Sequence, residues 1–209
     1  MNFKNVLVLA PHTDDGEFGC GGTISRLADN GAEITYVAFS SCEESVPKEF
    51  DSNITKKELK EATRVLGISG NNVILHDFKV RFFPEYRQSI LEELVSINNK
   101  LNPDLILLPS LDDCHQDHNT IAKEGFRAFK RSSILGYEMP WNNKIFPTTC
   151  FVKLKKEDID KKVNAIKCYK SQEFRTYARE DFIKNLASVR GVQAGTKFAE
   201  SFEVIRWII

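Results

Sequence analysis

Two short stretches hold nearly all the side chains of this sequence that could do chemistry together. One is Pro11-His12-Thr13-Asp14-Asp15-Gly16-Glu17-Phe18-Gly19-Cys20-Gly21-Gly22-Thr23; the other is Ser110-Leu111-Asp112-Asp113-Cys114-His115-Gln116-Asp117-His118. The chain has four histidines, and three of them fall in these stretches. Imidazole and carboxylate donors without a thiolate suit zinc or another divalent transition ion. A catalytic zinc keeps three protein ligands and one open position, and two His with one Asp meet that need. The surplus aspartates supply a general base beside an ion that acidifies water near neutral pH.

Each stretch alone has a plainer reading. His-x-x-Asp is commonly a turn with a solvated carboxylate, and His115-x-Asp-His can simply cap a helix. Gly19-x-Gly21-Gly22 does not match the dinucleotide pattern Gly-x-Gly-x-x-Gly. Nor does an acidic residue end the second apolar run to hold a ribose, since Phe39-Ser40-Ser41 stands there. Cys20 has no adjacent base and reads as a small packed side chain. His76 stands alone and reads as structural. The pairing of the two stretches is what points to a joint metal site.

The elements that position them follow from hydrophobic patterning. Val6–Ala10 is a continuous apolar run, as expected of a strand buried on both faces. Further strands are expected at Ile34–Phe39, 72–75 and 105–108. Helices are expected over 21–30, Thr55–Leu66 (capped by Thr55 with Glu58 three residues on), from Pro84 to Asn102, and 119–129. The last quarter is less regular, with strands expected at 134–137, 150–154 and 203–209, and helices at 160–170 and 181–189. Strands alternating with helices imply a single-domain α/β fold over 1–209: a Rossmann-like, doubly wound, mostly parallel sheet in three α/β/α layers. Ligands of such sheets bind at the carboxyl ends of the strands. The two His/Asp stretches directly follow the first and fourth strands, commonly neighbours at the switch point.

Composition narrows the partners. The 209 residues carry 29 Lys plus Arg against 29 Asp plus Glu, a net charge of zero that argues against a nucleic-acid binder. No apolar stretch approaches the length of a transmembrane helix, and the first residues lack the basic region of a signal peptide. Five cysteines, an odd number without a CxxC pair, read as reduced thiols and a cytoplasmic protein. The sequence leaves oligomeric state open.

The first stretch resembles the His-Pro-Asp-Asp-Glu-x-x-Gly-x-Gly-Gly-Thr signature of the PIG-L/LmbE-like N-acetylglucosaminyl deacetylases, and the second their His-x-Asp-His signature. Lys162 to Gln172 is similar to the family's Lys-x-x-Ala-x-x-x-x-x-Ser-Gln, and Phe198-Ala199-Glu200-Ser201-Phe202 to its Tyr-Ala-Glu-x-Phe. Thr13 replaces the usual proline, and Gly16 the usual Glu, with Glu17 one residue later. The resemblance implies a Rossmann-like hydrolase with one Zn2+ per chain, or another divalent transition metal, removing N-acetyl groups from glucosamine-type sugars or glycoconjugates. It makes His12, Asp15 and His118 the metal ligands and Asp14 the general base. His115 becomes the residue that stabilises the oxyanion or protonates the leaving amine, with Asp117 supporting it. Arg81 and Arg87 are candidate contacts to an acidic group on the sugar, and Trp141 a candidate stacking platform; Ser171-Gln172 is a further candidate to reach the site. Two rival readings stand beside this one: a metal-dependent hydrolase of another amide or ester, and a non-catalytic nucleotide-sugar- or metal-binding module. The aglycone is not legible.

Overall fold

The computed structural model describes residues 3–209; Met1 and Asn2, part of the segment considered above as a leader, lie outside the described residues. The first half runs β1 (Asn5–Ala10), α1 (Asp15–Asp29), β2 (Glu33–Ala38), α2 (Ile54–Val65), β3 (Val73–Leu75), α3 (Arg87–Leu101), β4 (Leu105–Pro109) and α4 (Gln116–Ala128). Then come β5 (Ser133–Tyr137), β6 (Cys150–Leu154), α5 (Lys156–Ile166), α6 (Glu180–Gln193) and β7 (Phe198–Arg206). All seven strands join one sheet in the order β3-β2-β1-β4-β5-β7-β6. Strands β1 to β5 are parallel, and β7 runs antiparallel to both β5 and β6. This is the expected three-layer α/β architecture.

The unbroken apolar run of β1 is explained by two cores. Val6, Val8 and Ala10 face one with α1, α2, α5 and α6, while Leu7 and Leu9 face the other with α3 and α4. β1 pairs with β4 in parallel, Val6 with Leu105 and Val8 with Leu107, and the strand order reverses between them. The loops leaving β1 and β4 therefore open onto one crevice. Gly125 draws α4 close: a Cβ there would stand 2.8 Å from Leu108 Cδ2 and 3.2 Å from Leu9 Cδ1.

Several boundaries differ from expectation. α1 begins at Asp15 rather than Gly21, although glycines disfavour helix. The helix breaks at Cys20 (φ −146°), and Glu200 from β7 takes the freed N–H groups of Gly22 (3.0 Å) and Thr23 (2.7 Å). Lys162 Nζ, 2.7 Å from Glu200, neutralises that buried carboxylate. So the C-terminal stretches singled out above cap the first helix from a distance. The glycines themselves are packing positions; a Cβ at Gly19 would overlap the Tyr137 ring at 2.2 Å. α5 starts at Lys156, earlier than Asp160, because Asp158 accepts the Lys155 N–H at 2.7 Å. β7 starts at Phe198, where Ala199 and Phe202 enter the core. The Thr55–Glu58 capping box does not form. Asn53 precedes the helix, Thr55 donates to the Ser41 carbonyl, and Glu58 turns to Ser171.

Candidate active site

Past Ala10 the chain turns through Pro11 into His12–Asp15, and the turn is fixed when the His12 N–H donates to Asp15 Oδ2 at 2.8 Å. Across the crevice, His118 sits in the first turn of α4. Three atoms meet here. His12 Nδ1 lies 3.1 Å from Asp15 Oδ2, Asp15 Oδ2 lies 3.2 Å from His118 Nε2, and the two ring nitrogens are 3.3 Å apart. Donors at about 2.0–2.1 Å from a tetrahedral ion stand about 3.3 Å from one another. The triangle has the size of one face of such a coordination shell, so these residues fit a divalent ion.

The outer nitrogen of each ring is held by a carboxylate. His12 Nε2 is 3.0 Å from Asp117 Oδ2, and His118 Nδ1 is 2.8 Å from Asp113 Oδ2. A histidine that donates outward to a carboxylate presents its other nitrogen as a lone pair, the usual arrangement behind metal-binding imidazoles. Burial works against charge on both rings, yet Asp15 with Asp117 raises His12 to about 9, and Asp15 with Asp113 raises His118 to about 10. Burial also opposes the charge of Asp15, but His118 and His12 outweigh it and hold its carboxyl below the usual range. The cluster thus calls for positive charge at its centre. A wider grouping also exists, in which ring nitrogens of His12, His115 and His118 lie within 4.8 Å of one another. The triangle with Asp15 is tighter, and His115 has other work: its Nδ1 accepts the Asp117 N–H at 3.2 Å and caps α4.

Asp14 and His115 line the cleft above the triangle, a cavity of about 320 Å³. Asp14 is the N-cap of α1 but makes no side-chain capping bond, so its carboxylate is free. Burial and then the charge of Asp15 raise it to about 6, against His12 and Arg175. Burial, with His118 and His12 nearby, lowers His115 to about 4, so its ring is a neutral N–H donor at pH 7.

His12, Asp14, Asp15, His115, His118, Arg81 and Trp141 are therefore brought together in one cleft. Two expectations need correction. The Asp117 carboxylate does not support His115; it holds His12 and accepts the N–H groups of Arg81 (2.6 Å) and Phe83 (3.3 Å). Arg87 does not line the cleft, because Glu124 of α4 takes its Nε at 2.7 Å and its Nη2 at 2.6 Å. Gln172 reaches the cleft, whereas Ser171 points away to Glu58. Sequence reasoning missed Asp113, whose signal was the excess of aspartate before His115. It also missed Tyr177, stacked on Trp141 at 4.0 Å and 10°, and Arg175, over the Tyr177 ring.

The profile of the PIG-L family, described as GlcNAc-PI de-N-acetylase, matches residues 7–129, which include both His/Asp loops. The chain belongs to the PIG-L family of deacetylases. Among its relatives, a probable N-acetyl-alpha-D-glucosaminyl L-malate deacetylase 2 of Bacillus cereus is 30% identical over 138 residues, 61% of this chain and 62% of that protein. The alignment thus spans about three fifths of that relative's length. The N,N'-diacetylchitobiose deacetylase of Pyrococcus horikoshii superposes with a TM-score of 0.80 at 21% identity, covering 98% of this chain and 84% of that one. The 4-carboxy-2-hydroxymuconate hydratase of Pseudomonas putida superposes equally well, with a TM-score of 0.80 at 21% identity over 99% and 98% of the two chains. Likeness at that identity is one of fold, and this PIG-L scaffold is shared by a hydratase as well as by deacetylases. Among the described residues, no helix is long and apolar enough to cross a membrane.

Proposed function

We propose that this PIG-L protein is a zinc-dependent deacetylase that hydrolyses the N-acetyl group of an N-acetylglucosamine-type sugar or glycoconjugate. The observation that carries the reading is the donor triangle of His12, Asp15 and His118 with a free carboxylate, Asp14, in the cleft above it. A divalent ion held by those three residues supplies a Lewis acid at the amide carbonyl and acidifies water. Asp14 takes the proton of the attacking water as the new C–O bond forms. With Nδ1 committed to the Asp117 N–H, His115 carries its hydrogen on Nε2 and donates a hydrogen bond to the carbonyl oxygen as negative charge develops. Asp14 returns the proton to the nitrogen as the C–N bond breaks, giving acetic acid and the free amine, which at neutral pH leave as acetate and an ammonium ion. Asp113 and Asp117 keep the two ligand rings aimed.

The cleft wall suits a sugar. The Trp141–Tyr177 stack offers an apolar platform, and Arg81 and Arg175 offer polar contacts. Neither is among the salt-bridged arginines, which are Arg26, Arg87, Arg127, Arg179 and Arg190. The family description and the Bacillus relative both name an N-acetylglucosaminyl compound, which supports the substrate class. We place the protein in the cytoplasm on its five free thiols.

The test is acetate release by the zinc-loaded protein from N-acetylglucosamine, diacetylchitobiose and N-acetylglucosaminyl glycosides with neutral and acidic aglycones. Release that depends on zinc and on Asp14 supports the reading. A protein that binds zinc and releases acetate from none of them overturns it, and leaves another amide or ester, or the hydratase chemistry of its structural neighbour, as the activity to assay.

A further inference from the structure

Beneath the His12–Asp15 loop lies a sealed polar cluster that the proposed reaction does not use. Glu17 and Tyr36 have no exposed surface, and Tyr169 only 2%. The Tyr36 hydroxyl lies 2.5 Å from Glu17 Oε2 and 3.0 Å from the Thr13 carbonyl oxygen. The Tyr169 hydroxyl lies 2.6 Å from the same carbonyl and 3.2 Å from Glu17 Oε1. Residues from α1, β2 and the turn after α5 thus converge on one peptide bond, the one joining Thr13 to Asp14.

The hydrogens explain why an acid side chain sits there. Two phenols own two hydrogens, and the shortest contacts use them: Tyr36 to Glu17, and Tyr169 to the Thr13 carbonyl. Two longer contacts remain, Tyr36 to the Thr13 carbonyl at 3.0 Å and Tyr169 to Glu17 at 3.2 Å, and the second is filled without sharing a hydrogen only if position 17 donates one. A carboxylic acid supplies it, and so would a carboxamide; an apolar side chain would leave each buried phenol held by the Thr13 carbonyl but without its second partner. Gly16 belongs to the same device. Its N–H donates to the Tyr36 hydroxyl at 3.1 Å, and a Cβ there would stand 2.5 Å from Tyr36 Cε2. A Cβ at 16 could be admitted only if the Tyr36 ring shifted, which fits glycine where the resembled signature has glutamate.

We infer that Glu17 is a positioning residue that, through Tyr36 and Tyr169, sets the Thr13 peptide and with it His12, Asp14 and Asp15. The inference rests on the proposed roles of those three residues. Two of the three metal donors and the base are carried on four consecutive residues, so the orientation of one peptide governs them all. A misplacement of about 1 Å at such groups costs on the order of 100-fold in rate.

The test measures zinc affinity by competition with a chelator, together with kcat, KM and melting temperature, for Glu17→Leu, Glu17→Gln and Tyr169→Phe. Glu17→Leu is expected to lower zinc affinity and kcat by about 10–100-fold each, while KM changes by less than about threefold. Glu17→Gln is expected to restore both to within about threefold of wild type, and Tyr169→Phe to fall between. A purely structural role predicts a lower melting temperature with zinc affinity and kcat unchanged in Glu17→Leu, which overturns the inference. Glu17→Gln falling as far as Glu17→Leu also overturns it. If Glu17→Leu does not fold, Tyr169→Phe and Glu17→Gln decide: wild-type zinc affinity in Tyr169→Phe, or its loss in Glu17→Gln, overturns the inference. A wild type that binds zinc without releasing acetate sinks the deacetylase reading alone, and zinc affinity still judges Glu17.

Discussion

The carboxylate of Asp117 stands 3.0 Å from His12 Nε2, although 105 residues separate the two in sequence. Its oxygens also accept the N–H groups of Arg81 and Phe83, so the carboxylate is fixed on both sides and the His12 ring with it. Asp113 stands in the same relation to His118. Asp117→Asn and Asp113→Asn are each expected to weaken zinc binding by about 10–100-fold, the usual worth of such a partner. Chelator competition reads this directly, and unchanged affinity in both variants would show that the rings need no outer partner.

Asp14 is expected to separate proton transfer from metal binding. Asp14→Asn keeps shape and removes basicity, so bound zinc should stay near wild type while kcat falls by roughly 10²–10⁴. Metal analysis and acetate release on the same preparation check both halves. Wild-type turnover in this variant contradicts the assignment.

The two arginines that sequence alone treats alike should behave oppositely. Arg81 lines the cleft without a carboxylate partner, and Arg81→Ala is expected to raise KM by roughly 10–100-fold, the worth of one lost charged hydrogen bond. Arg87 braces Glu124, whose side chain is fully buried and is shared with Arg127. Arg87→Ala is expected to leave KM unchanged and to cost about 1.5–3 kcal/mol of stability in urea unfolding.

What was legible in the sequence was local. The run Val6–Ala10, the alternation of strands and helices, and the His/Asp loops each depend on neighbours in the chain, and the α/β sheet follows from them. What was not legible crosses the chain. Glu200 caps α1 over 177 residues, the Tyr169 hydroxyl reaches Glu17 over 152, and Asp117 reaches His12 over 105. The Thr55–Glu58 pattern shows the same limit from the other side. A capping box is a local device, and here Glu58 is drawn instead to the backbone N–H (2.9 Å) and hydroxyl (2.6 Å) of Ser171. Asp117 illustrates it within the site: two residues from His115 in sequence, its carboxylate faces the other histidine.

His76 should leave a signature in the dependence of stability on pH. It stacks on Phe39 at 5.4 Å, and its Nε2 is buried without a hydrogen-bond partner. Burial lowers its pKa below the ordinary 6.5, with Glu93 opposing more weakly. The unfolded chain then binds a proton before the folded one does as pH falls below about 6.5, so this residue costs stability on acidification. His76→Phe keeps the stacking and removes the titration. Urea midpoints recorded from pH 7 to pH 5 are expected to fall less steeply in the variant than in wild type. Parallel curves would contradict the buried, neutral ring.

The claim on which the rest depends is the identity of the three ligands, and anomalous scattering at the zinc edge from crystals of the zinc-loaded protein tests it most directly. One peak is expected per chain, with His12 Nδ1, Asp15 Oδ2 and His118 Nε2 at about 2.0–2.2 Å and His115 outside the coordination shell. A peak ligated by His115 in place of Asp15, or one from which any of the three residues turns away, would contradict the account.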